Sequence, residues 1–405
     1  MDDGGSGARD LGWYGRGQAE HHRTVIDADG AGMLSRRVPN SGPELLELIA
    51  DVLNVSEEVT WAIDLNAGGA ALLIALLVNH GQKVLHIPGR TVHYASGAYR
   101  GDGKTDAKDA YVIADQARMR RDLEPLAVGN DVSVDLKILT ARRYDLTADA
   151  PAQSTGCVHN CWNTSPHWSG PTNTAGPRGA LVLLTGYQTP AALRRIGTSR
   201  LATWLKNRKV RSSAAVAAAA VQAAEAQHTA VPGEKPAAAM AAKLAREVMA
   251  LDEEISETDT LIEGRFREHQ HAEVILSMPG MGPLPSAEFI AVTGGNMDAF
   301  GTSDRLADVA GLAPVPRDSG RISGNLHRPR RYSRRLLRVF YLSAQVAARS
   351  CPVSKRFYDR KRSEGKGHEQ ALLALARRRL NALWALIRDG RPFETNPPQV
   401  DTAAA

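Results

Sequence analysis

The sequence predicts an α/β N-terminal region, a long helical arm and a mainly helical C-terminal region. Three observations support this prediction. Residues 23–118 alternate short apolar runs typical of strands with apolar patterns of helical period. Residues 238–268 carry apolar side chains close to a heptad spacing, as a coiled coil does. Residues 271–393 contain further helical patterns around a turn rich in proline and glycine. At 405 residues and 43% hydrophobic content, the chain can build two or three globular cores.

The charge and cysteine content narrow the functional class. A formal net charge of +6 and a pI near 9.3 favour a nucleic-acid partner. Three cysteines are too few for a disulfide framework and indicate a reducing compartment. The first thirty residues show no signal-peptide pattern, and no apolar run reaches the roughly eighteen residues that span a bilayer. We therefore expect a cytoplasmic protein that has no membrane partner.

The N-terminal region predicts strands and helices in alternation. RTVIDADG and MLSRRV predict two strands joined by a turn, and PELLELIADVLN predicts a helix. VTWAIDL is typical of a buried strand and ends on Asp64. GGAALLIALLVNHG predicts a helix closed by Gly81, and KVLHIP predicts the next strand. This order favours a single α/β layer with a mixed or parallel sheet.

Acidic residues at the start of the next helix are the candidate metal ligands. Asp106 and Asp109 lie three residues apart in the helix predicted over 104–118, so their carboxylates share one face. Helix N-terminal stabilisation explains them as well. Asp64 ends a strand, where α/β folds place active sites, and three converging carboxylates would suit Mg²⁺. Such ions would polarise a phosphate and activate a water or hydroxyl. Asp115, further along, is expected to be solvent-exposed.

The arm contains one regular and one irregular part. The apolar seam of 238–268 needs a partner helix, for which 132–149 is the candidate. That partner should stop near Pro151, because residues 150–178 have neither helical nor strand period. A zinc site in the irregular part is disfavoured, since the spacing of the possible ligands fits no common zinc pattern. Those ligands are Cys157, His159, Cys161 and His167.

The C-terminal region begins with a hairpin of helices. VILSMPGMGPLPSAEFIAVTGG predicts a helix-hairpin-helix whose Gly280 and Gly282 amides face a nucleic-acid phosphate. A plain tight turn between core helices is the alternative. SDRLADVAGL predicts a short helix opened by Ser303 as its N-cap. YSRRLLRVFYLSAQVAARS predicts a helix, and residues 354–390 predict a basic turn followed by a helix that ends at Gly390.

The stretch 311–338 places a serine in a field of cations. Ser319 lies beside Gly320, and Asp318 is the single acid in the arginine-rich part. Its hydroxyl could attack a phosphodiester while arginines hold the non-bridging oxygens and stabilise the leaving group. A solvated basic loop that only touches a phosphate backbone is the competing interpretation. The eight arginines are Arg317, Arg321, Arg328, Arg330, Arg331, Arg334, Arg335 and Arg338.

Two motifs resemble those of the insertion-sequence-110 family of transposases. They are KTDAKDA, and GLAPVPRDSGRISG followed by PRRYSRRLLR. The resemblance covers most of the chain from about residue 21, outside 150–178. It implies a RuvC/RNase H-like domain with an Asp-Glu-Asp-Asp metal site, a coiled-coil arm, and a transposase domain with a catalytic serine and a helix-hairpin-helix-like motif. The implied boundaries are 1–125, 126–270 and 271–393, with a disordered tail over 394–405.

The resemblance also implies roles for particular residues. Asp64 matches the second acid, with Asp in place of the commoner Glu, and Asp106 and Asp109 match the third and fourth. Ser319 matches the serine that forms a covalent phosphoserine link to DNA. The family implies Mg²⁺ as cofactor, donor and target DNA, a structured guide RNA, and a dimer or tetramer in which the serine and the acids meet at one composite centre. The nucleic-acid contacts would come from Gly280, Gly282, Arg317, Gly320, Arg321, Arg328, Arg330, Arg331, Arg334 and Arg335.

Two departures from the family pattern favour an alternative, a catalytically degenerate nucleic-acid-binding remnant. Gly15 stands where the first acid should be, although the following pair His21 and His22 is present. Loss of one of four carboxylates should weaken binding of at least one metal ion. Segments 12–18 and 152–171 can each be encoded by a string that is family-like in a shifted frame. We hypothesise that paired compensating frameshifts produced them. A nuclease that hydrolyses DNA without the serine is a further possibility.

Overall fold

A computed structural model describes residues 20–394, apart from the gaps named at the end of this paragraph. It describes only the backbone of residues 150–177 and 326. The chain divides into two compact units, Met1–Val128 and Gly129–Ala405, and each is described by itself. The predicted tail lies almost wholly outside the described residues. The gaps are 57, 66–67, 101–102, 104, 124, 127–130, 165–168, 317, 321–322, 325 and 328.

The first unit confirms the predicted alternation of strands and helices. Its described strands form two separate two-stranded sheets, where the sequence predicted one layer. β1 and β2 are an antiparallel hairpin, whereas β3 and β4, of four residues each, pair in parallel. The elements are β1 (Glu20–Ile26), β2 (Gly32–Pro39), α1 (Gly42–Val55), β3 (Thr60–Ile63), α2 (Ala71–Asn79), β4 (Lys83–His86), α3 (Gly89–Ser96) and α4 (Asp106–Met119).

The turn between β1 and β2 fixes which side chains share a face. The Asp27 carboxylate accepts hydrogen bonds from the backbone N–H groups of Asp29, at 3.0 Å, and Ala31, at 2.8 Å. Gly30 follows with φ of 90°, which suits a residue without a side chain. The resulting register sets His21 opposite Val38. Because side chains alternate along a strand, Arg23 lies on the same face as His21.

The described part of the second unit is helical apart from one short hairpin. Its first elements are α5 (Asp131–Thr164), α6 (Ser169–Gly186), α7 (Pro190–Ile196), α8 (Thr198–Asn207), α9 (Ser213–Glu225) and α10 (Glu234–Arg267). The remainder are α11 (Ala272–Leu276), α12 (Pro283–Thr293), α13 (Ser303–Val309), β5 (Val315–Pro316), β6 (Leu326–His327), α14 (Arg334–Ser350), α15 (Pro352–Ser363) and α16 (His368–Asp389).

α5 and α10 pair antiparallel along the arm, which confirms the predicted partnership of 132–149 with 238–268. Thr258 occupies a seam position as predicted: it is buried and its hydroxyl donates to the Glu254 carbonyl at 2.7 Å. Ion pairs accompany this antiparallel pairing, in which residues early in α5 meet residues late in α10. These pairs are Asp135 with Arg265 at 2.8 Å, Arg142 with Glu254 at 2.5 Å, and Arg143 with Asp259.

Three boundaries differ from the prediction. α5 does not stop near Pro151 but continues to Thr164. A proline removes one amide donor from a helix, and a long helix that has a packed partner tolerates this loss. The N-cap of α13 is Thr302, one residue before Ser303, because the Thr302 hydroxyl accepts from the Arg305 N–H at 3.2 Å. The basic turn predicted at the start of 354–390 is mostly helix α15, since Pro352 starts that helix and its apolar side chains pack.

Two cores hold the second unit together. The arm core joins α6, α8, α9 and the first half of α10, with Leu183, Leu201 and Ala245 fully buried. The serine core joins the end of α10 to α11–α16, and the hairpin of β5 and β6 projects from it between α13 and α14. Phe289 and Phe340 meet there edge to face, with ring centroids 5.9 Å apart. No helix in the described part of the chain is long and apolar enough to cross a membrane.

The turn before α12 is packed inside the serine core. Gly280 has φ of 81°, and a Cβ atom there would lie 2.7 Å from the Ser343 carbonyl oxygen on α14. The buried Arg379 guanidinium donates to the Pro279 carbonyl and, at 3.0 Å, to the Ser343 hydroxyl. Close approach of two backbones therefore explains Gly280. Gly282 has φ of −77° and open space around it.

Gly280→Ala should destabilise the protein by about 1–3 kcal/mol, because it adds a steric clash and a strained φ. Gly282→Ala is the matched control and should cost less than about 1 kcal/mol, since only an N-cap preference changes. Urea denaturation followed by circular dichroism measures both. Equal losses would contradict the packing described here.

Stability should fall in mild acid because of His269. This side chain is 3% exposed, and burial, then the neighbouring His271, lowers the pKa of His269 from its ordinary 6.5 to about 4. Between pH 6.5 and about 4, the His269 side chain is protonated in the unfolded chain but not in the folded chain. The free energy of unfolding should therefore decrease as the pH falls from 6.5 to 4. His269→Gln should flatten this slope in urea titrations at several pH values, and an unchanged slope would refute the assignment.

Candidate active site

Asp64 stands at the predicted place, directly after strand β3. It is half-buried, and its carboxylate faces the start of α3, 3.9 Å from where a Cβ atom on Gly89 would lie. The guanidinium of Arg23 is its nearby cation. Burial lowers the pKa of Arg23 to about 10, and the negative charge of Asp64 opposes that shift. In the described part of the chain, Nε and Nη2 of Arg23 are buried without a hydrogen-bond partner.

His21, on β1, lies close to Arg23 and Asp64. Its Nε2 atom is 2.9 Å from the Gly69 carbonyl oxygen. Burial lowers the pKa of His21, the charge of Arg23 lowers it further, and Asp64 acts in the opposite direction. His21 is therefore neutral at pH 7 and leaves Arg23 as the cation that compensates Asp64. The predicted strand began at Arg23, whereas β1 begins at Glu20, so the shared face of His21, Arg23 and Val25 did not follow from the prediction.

Asp106 and Asp109 occupy the first turn of α4, as predicted. Thr105 is the N-cap, and its hydroxyl accepts from the Lys108 N–H at 3.2 Å. Asp106 pairs with Arg37 across 3.8 Å, and both side chains are mostly exposed, at 76% and 67%. An exposed pair at this distance contributes little to stability. Both carboxylates also suit the positive end of the helix dipole.

The carboxylate oxygens of Asp64, Asp106 and Asp109 suit a divalent cation chemically. Their arrangement in the structure does not yet form a metal site. Three carboxylates offer the hard oxygen ligands that Mg²⁺ prefers. Among the described residues, however, no group of three His, Cys, Asp or Glu side chains lies close enough to hold a metal ion. Arginines stand beside two of the three: Arg23 by Asp64 and Arg37 by Asp106. The position of the missing first acid, Gly15, is outside the described residues.

Asp115 is buried, so the prediction that it is exposed is wrong. It lies one turn after the fully buried Val112 and therefore shares the packed face of α4. Its carboxylate accepts from the Tyr99 hydroxyl at 2.7 Å and from the Arg118 guanidinium at 2.7 and 2.9 Å. Arg118 also donates to the Ala28 carbonyl at 3.3 Å. These contacts give Asp115 a structural role that ties α4 to the β1–β2 turn.

The serine lies on a hairpin whose base is fixed to the serine core. β5 and β6 pair antiparallel, with Val315 opposite His327, and Ser319 between them is exposed. Gly311 has φ of 69°, and a Cβ atom there would lie 2.6 Å from the Tyr332 ring. Ser333 donates its N–H to the Val309 carbonyl at 2.7 Å and caps α14 through its hydroxyl. The exposed hydroxyl is thus held on a loop with an anchored base.

The arginines around this hairpin divide into two groups. Arg335 is engaged inside the protein: its Nε donates to Glu288 at 2.8 Å and its Nη2 to the Thr140 hydroxyl at 2.7 Å. It therefore links α14 to α12 and α5, a role that charge counting did not reveal. Arg317, Arg321 and Arg328 lie outside the described residues. Those exposed to solvent are Arg330, Arg331, Arg334 and Arg338.

The helix-hairpin-helix turn offers few free amides. Residues Pro283 and Pro285 occupy the first turn of α12 and lack N–H groups, so Leu284 is the only donor among the three. α11 has five residues, shorter than the predicted helix. The packing of Gly280 favours the alternative of a tight turn between core helices. Contact of the Gly280 and Gly282 amides with a phosphate stays a prediction.

Comparison with known proteins places this geometry in a family. A family model described as a transposase of the DEDD type from IS110 elements matches residues 16–156, and the model of the IS116/IS110/IS902 transposase family matches 272–359. The 42 kDa protein of insertion element IS900 from Mycobacterium paratuberculosis is 59% identical, over 97% of this chain and 99% of its own length.

Two Streptomyces proteins show the same full-length similarity. The 44.8 kDa protein of insertion element IS116 from Streptomyces clavuligerus is 48% identical over 96% of this chain and 98% of its own. The 43.6 kDa protein of insertion element IS110 from Streptomyces coelicolor is 33% identical over 94% and 95%. With both terminal regions matched and the similarity extending from end to end, the chain belongs to the IS116/IS110/IS902 family of transposases.

Proposed function

We propose that this chain is a DNA transposase/recombinase that cuts and rejoins strands through a phosphoserine at Ser319. The observation that carries the proposal is the exposed serine on a hairpin anchored by Gly311 and Tyr332 and flanked by exposed arginines. An anchored base limits the entropy lost when a loop binds substrate. The family supplies DNA as the substrate, and the basic flank suits its phosphates.

The proposed step balances without a co-reactant. The Ser319 Oγ–P bond forms, the bond from phosphorus to one deoxyribose oxygen breaks, and the departing oxygen takes a proton that replaces the one lost by the serine. A hydroxyl of the incoming strand then attacks the same phosphorus and releases Ser319. Arg330 and Arg334 would hold the non-bridging oxygens, where charge develops in the transition state. Arg335 would also position α14, because its Nε and Nη2 atoms donate to Glu288 and to Thr140.

Asp64, Asp106 and Asp109 would hold Mg²⁺ in this proposal. When bound, the ion supplies charge neutralisation at a phosphate and a more acidic water or hydroxyl. Asp106 must first leave Arg37, which costs little because the pair is exposed and 3.8 Å long. Asp64 must share its charge with Arg23. Arg23 and Arg37 therefore compete with the metal ion for these carboxylates and would lower its affinity.

A structured guide RNA and a homo-oligomer belong to the same proposal. The net charge of +6 and a pI near 9.3 leave cations available for a second nucleic acid beside DNA. A dimer or tetramer is proposed because strand exchange joins two DNA partners. Analytical ultracentrifugation, with and without RNA transcribed from the element's flanks, tests both parts.

A second candidate function has its own supporting observation. A catalytically degenerate nucleic-acid-binding remnant would keep the basic hairpin and lack a working metal site. The cations beside Asp64 and Asp106, together with Gly15 at the position of the first acid, favour this alternative. Hydrolysis without the serine is the third candidate, and it leaves no covalent protein–DNA adduct.

Ser319→Ala should abolish both the covalent protein–DNA adduct and strand exchange, whereas DNA binding should persist, because only the nucleophile is removed. Ser323→Ala removes an exposed hydroxyl from the same hairpin and should retain activity. Denaturing gels of matched donor and target DNA with Mg²⁺ measure the adduct and the products. Recombination that survives Ser319→Ala would exclude the serine mechanism.

Gly15→Asp should increase the affinity for Mn²⁺, used as a probe for Mg²⁺, because it adds a fourth carboxylate to the set. We expect at least a tenfold decrease in Kd by isothermal titration calorimetry. Asp109→Asn in the repaired chain should remove the gain. If the repaired and original chains bind Mn²⁺ equally, Gly15 is not at the metal site.

A further inference from the structure

Positive charge predominates at the end of the arm remote from the serine core, where Glu225 at the end of α9 and Glu234 at the start of α10 are the neighbouring acids. We define the arm tip as residues 178–224, from the last part of α6 through α7 and α8 to most of α9. This stretch contains eight Arg or Lys residues and no Asp or Glu. The adjoining helix α10 has eight acidic and five basic residues over Glu234–Arg267. The charge of the arm tip is therefore a local feature and not a property of the whole arm.

Most of these cations are available to a partner. Arg194 is an exception, since it donates to the Ala224 carbonyl at 2.6 Å and to the Gln227 carbonyl, closing the end of α9. Among the described residues, no ion pair includes a cation of the arm tip: the pairs of the arm join α5 to α10 or lie along α10. Besides Arg178 on α6, six cations are exposed: Arg195, Arg200, Lys206, Arg208, Lys209 and Arg211.

The turn between α8 and α9 concentrates four of the six in a fixed conformation. Lys209 and Ser212 have φ of 59° and 54°, values that residues with side chains adopt at a cost. Trp204 supports the turn: its ring meets Tyr187 edge to face at 5.1 Å, and the Arg208 guanidinium covers it at 3.9 Å. Such strain persists only where the surroundings hold it. The turn therefore presents its cations on a rigid support.

Charge and shape together identify the kind of partner. An acid-free cluster of Arg and Lys suits a polyanion. The aromatic ring in the turn is covered by Arg208, so it offers no platform on which unpaired bases could stack. A duplex backbone, which exposes phosphates and not base faces, fits this surface better than a single strand. Because the chain belongs to a transposase family, the duplex is DNA.

We propose that the arm tip is a second DNA-binding surface that contacts the phosphate backbone away from the serine hairpin. The choice of DNA as partner rests on the proposed function. Ala241 in the arm core and Phe266 in the serine core are 25 residues apart on α10, which corresponds to about 35–40 Å. That length is about one helical turn of B-DNA. The two cores are therefore about one DNA turn apart, and the tip would contact DNA that flanks the reacting phosphate.

The test neutralises three tip cations and measures the salt dependence of DNA binding. The variant is Lys206→Gln/Lys209→Gln/Arg211→Gln, which leaves Arg208 on Trp204. It is made in the Ser319→Ala chain and assayed without Mg²⁺, so the result does not depend on the serine step. Each lost phosphate contact lowers the slope of log K against log salt by about 0.9. We expect the slope for a duplex of about 40 base pairs to fall by about 2–3, and the affinity to fall at least tenfold.

The matched control removes the same charge from cations placed among acids: Lys137→Gln/Lys243→Gln/Arg267→Gln. Its slope should stay close to that of the parent chain. Circular dichroism and thermal unfolding establish that both variants are folded. An unchanged slope in the tip variant, an equal loss in the control, or a loss seen with duplex RNA but not with duplex DNA would each overturn the proposal.

Discussion

The antiparallel pairing of α5 with α10 is the constraint on which the second unit depends. α10 is shared by two cores: its first half closes the arm core through Ala245, and its end enters the serine core through Phe266. A single helix that serves both cores fixes their separation. Ion pairs such as Arg142 with Glu254 then set the register of α5 against it. The arm is therefore a spacer of defined length and not a flexible tether.

The same pairing reaches the serine hairpin through Arg335. Thr140 on α5 accepts a hydrogen bond from this arginine and donates its own to the Leu136 carbonyl at 2.6 Å. Arg335 is in the first turn of α14, directly after the hairpin, and also pairs with Glu288. Breaking a partly buried link of this kind leaves charged groups without partners, which costs more than the link itself contributes. The base of the serine hairpin is thus tied to the arm and not only to its own core.

The sequence predicted local features well and contacts between distant residues poorly. The strand ending at Asp64, the helix starting at Asp106 and the seam position of Thr258 follow from short periodic patterns, which report backbone conformation directly. Asp115 was predicted wrongly because a charged residue on a helix is usually exposed, and only the Tyr99 and Arg118 contacts make its burial possible. The same holds for Arg335: charge counting shows how many cations exist and not which acceptors they meet.

Charge segregation in the second unit has a physical consequence for how it meets nucleic acid. The acids of α10 are used to hold α5, as Glu254 and Asp259 show, and they lie in the middle of the arm. Among the described residues, exposed cations lie at its two ends, at the arm tip and around the serine hairpin. Attraction at both ends would orient a bound duplex along the arm, because the field of separated charges adds over the surface. Because the arm has a fixed length, the contacts that the arm tip and the serine hairpin would make with DNA would be separated by a fixed distance.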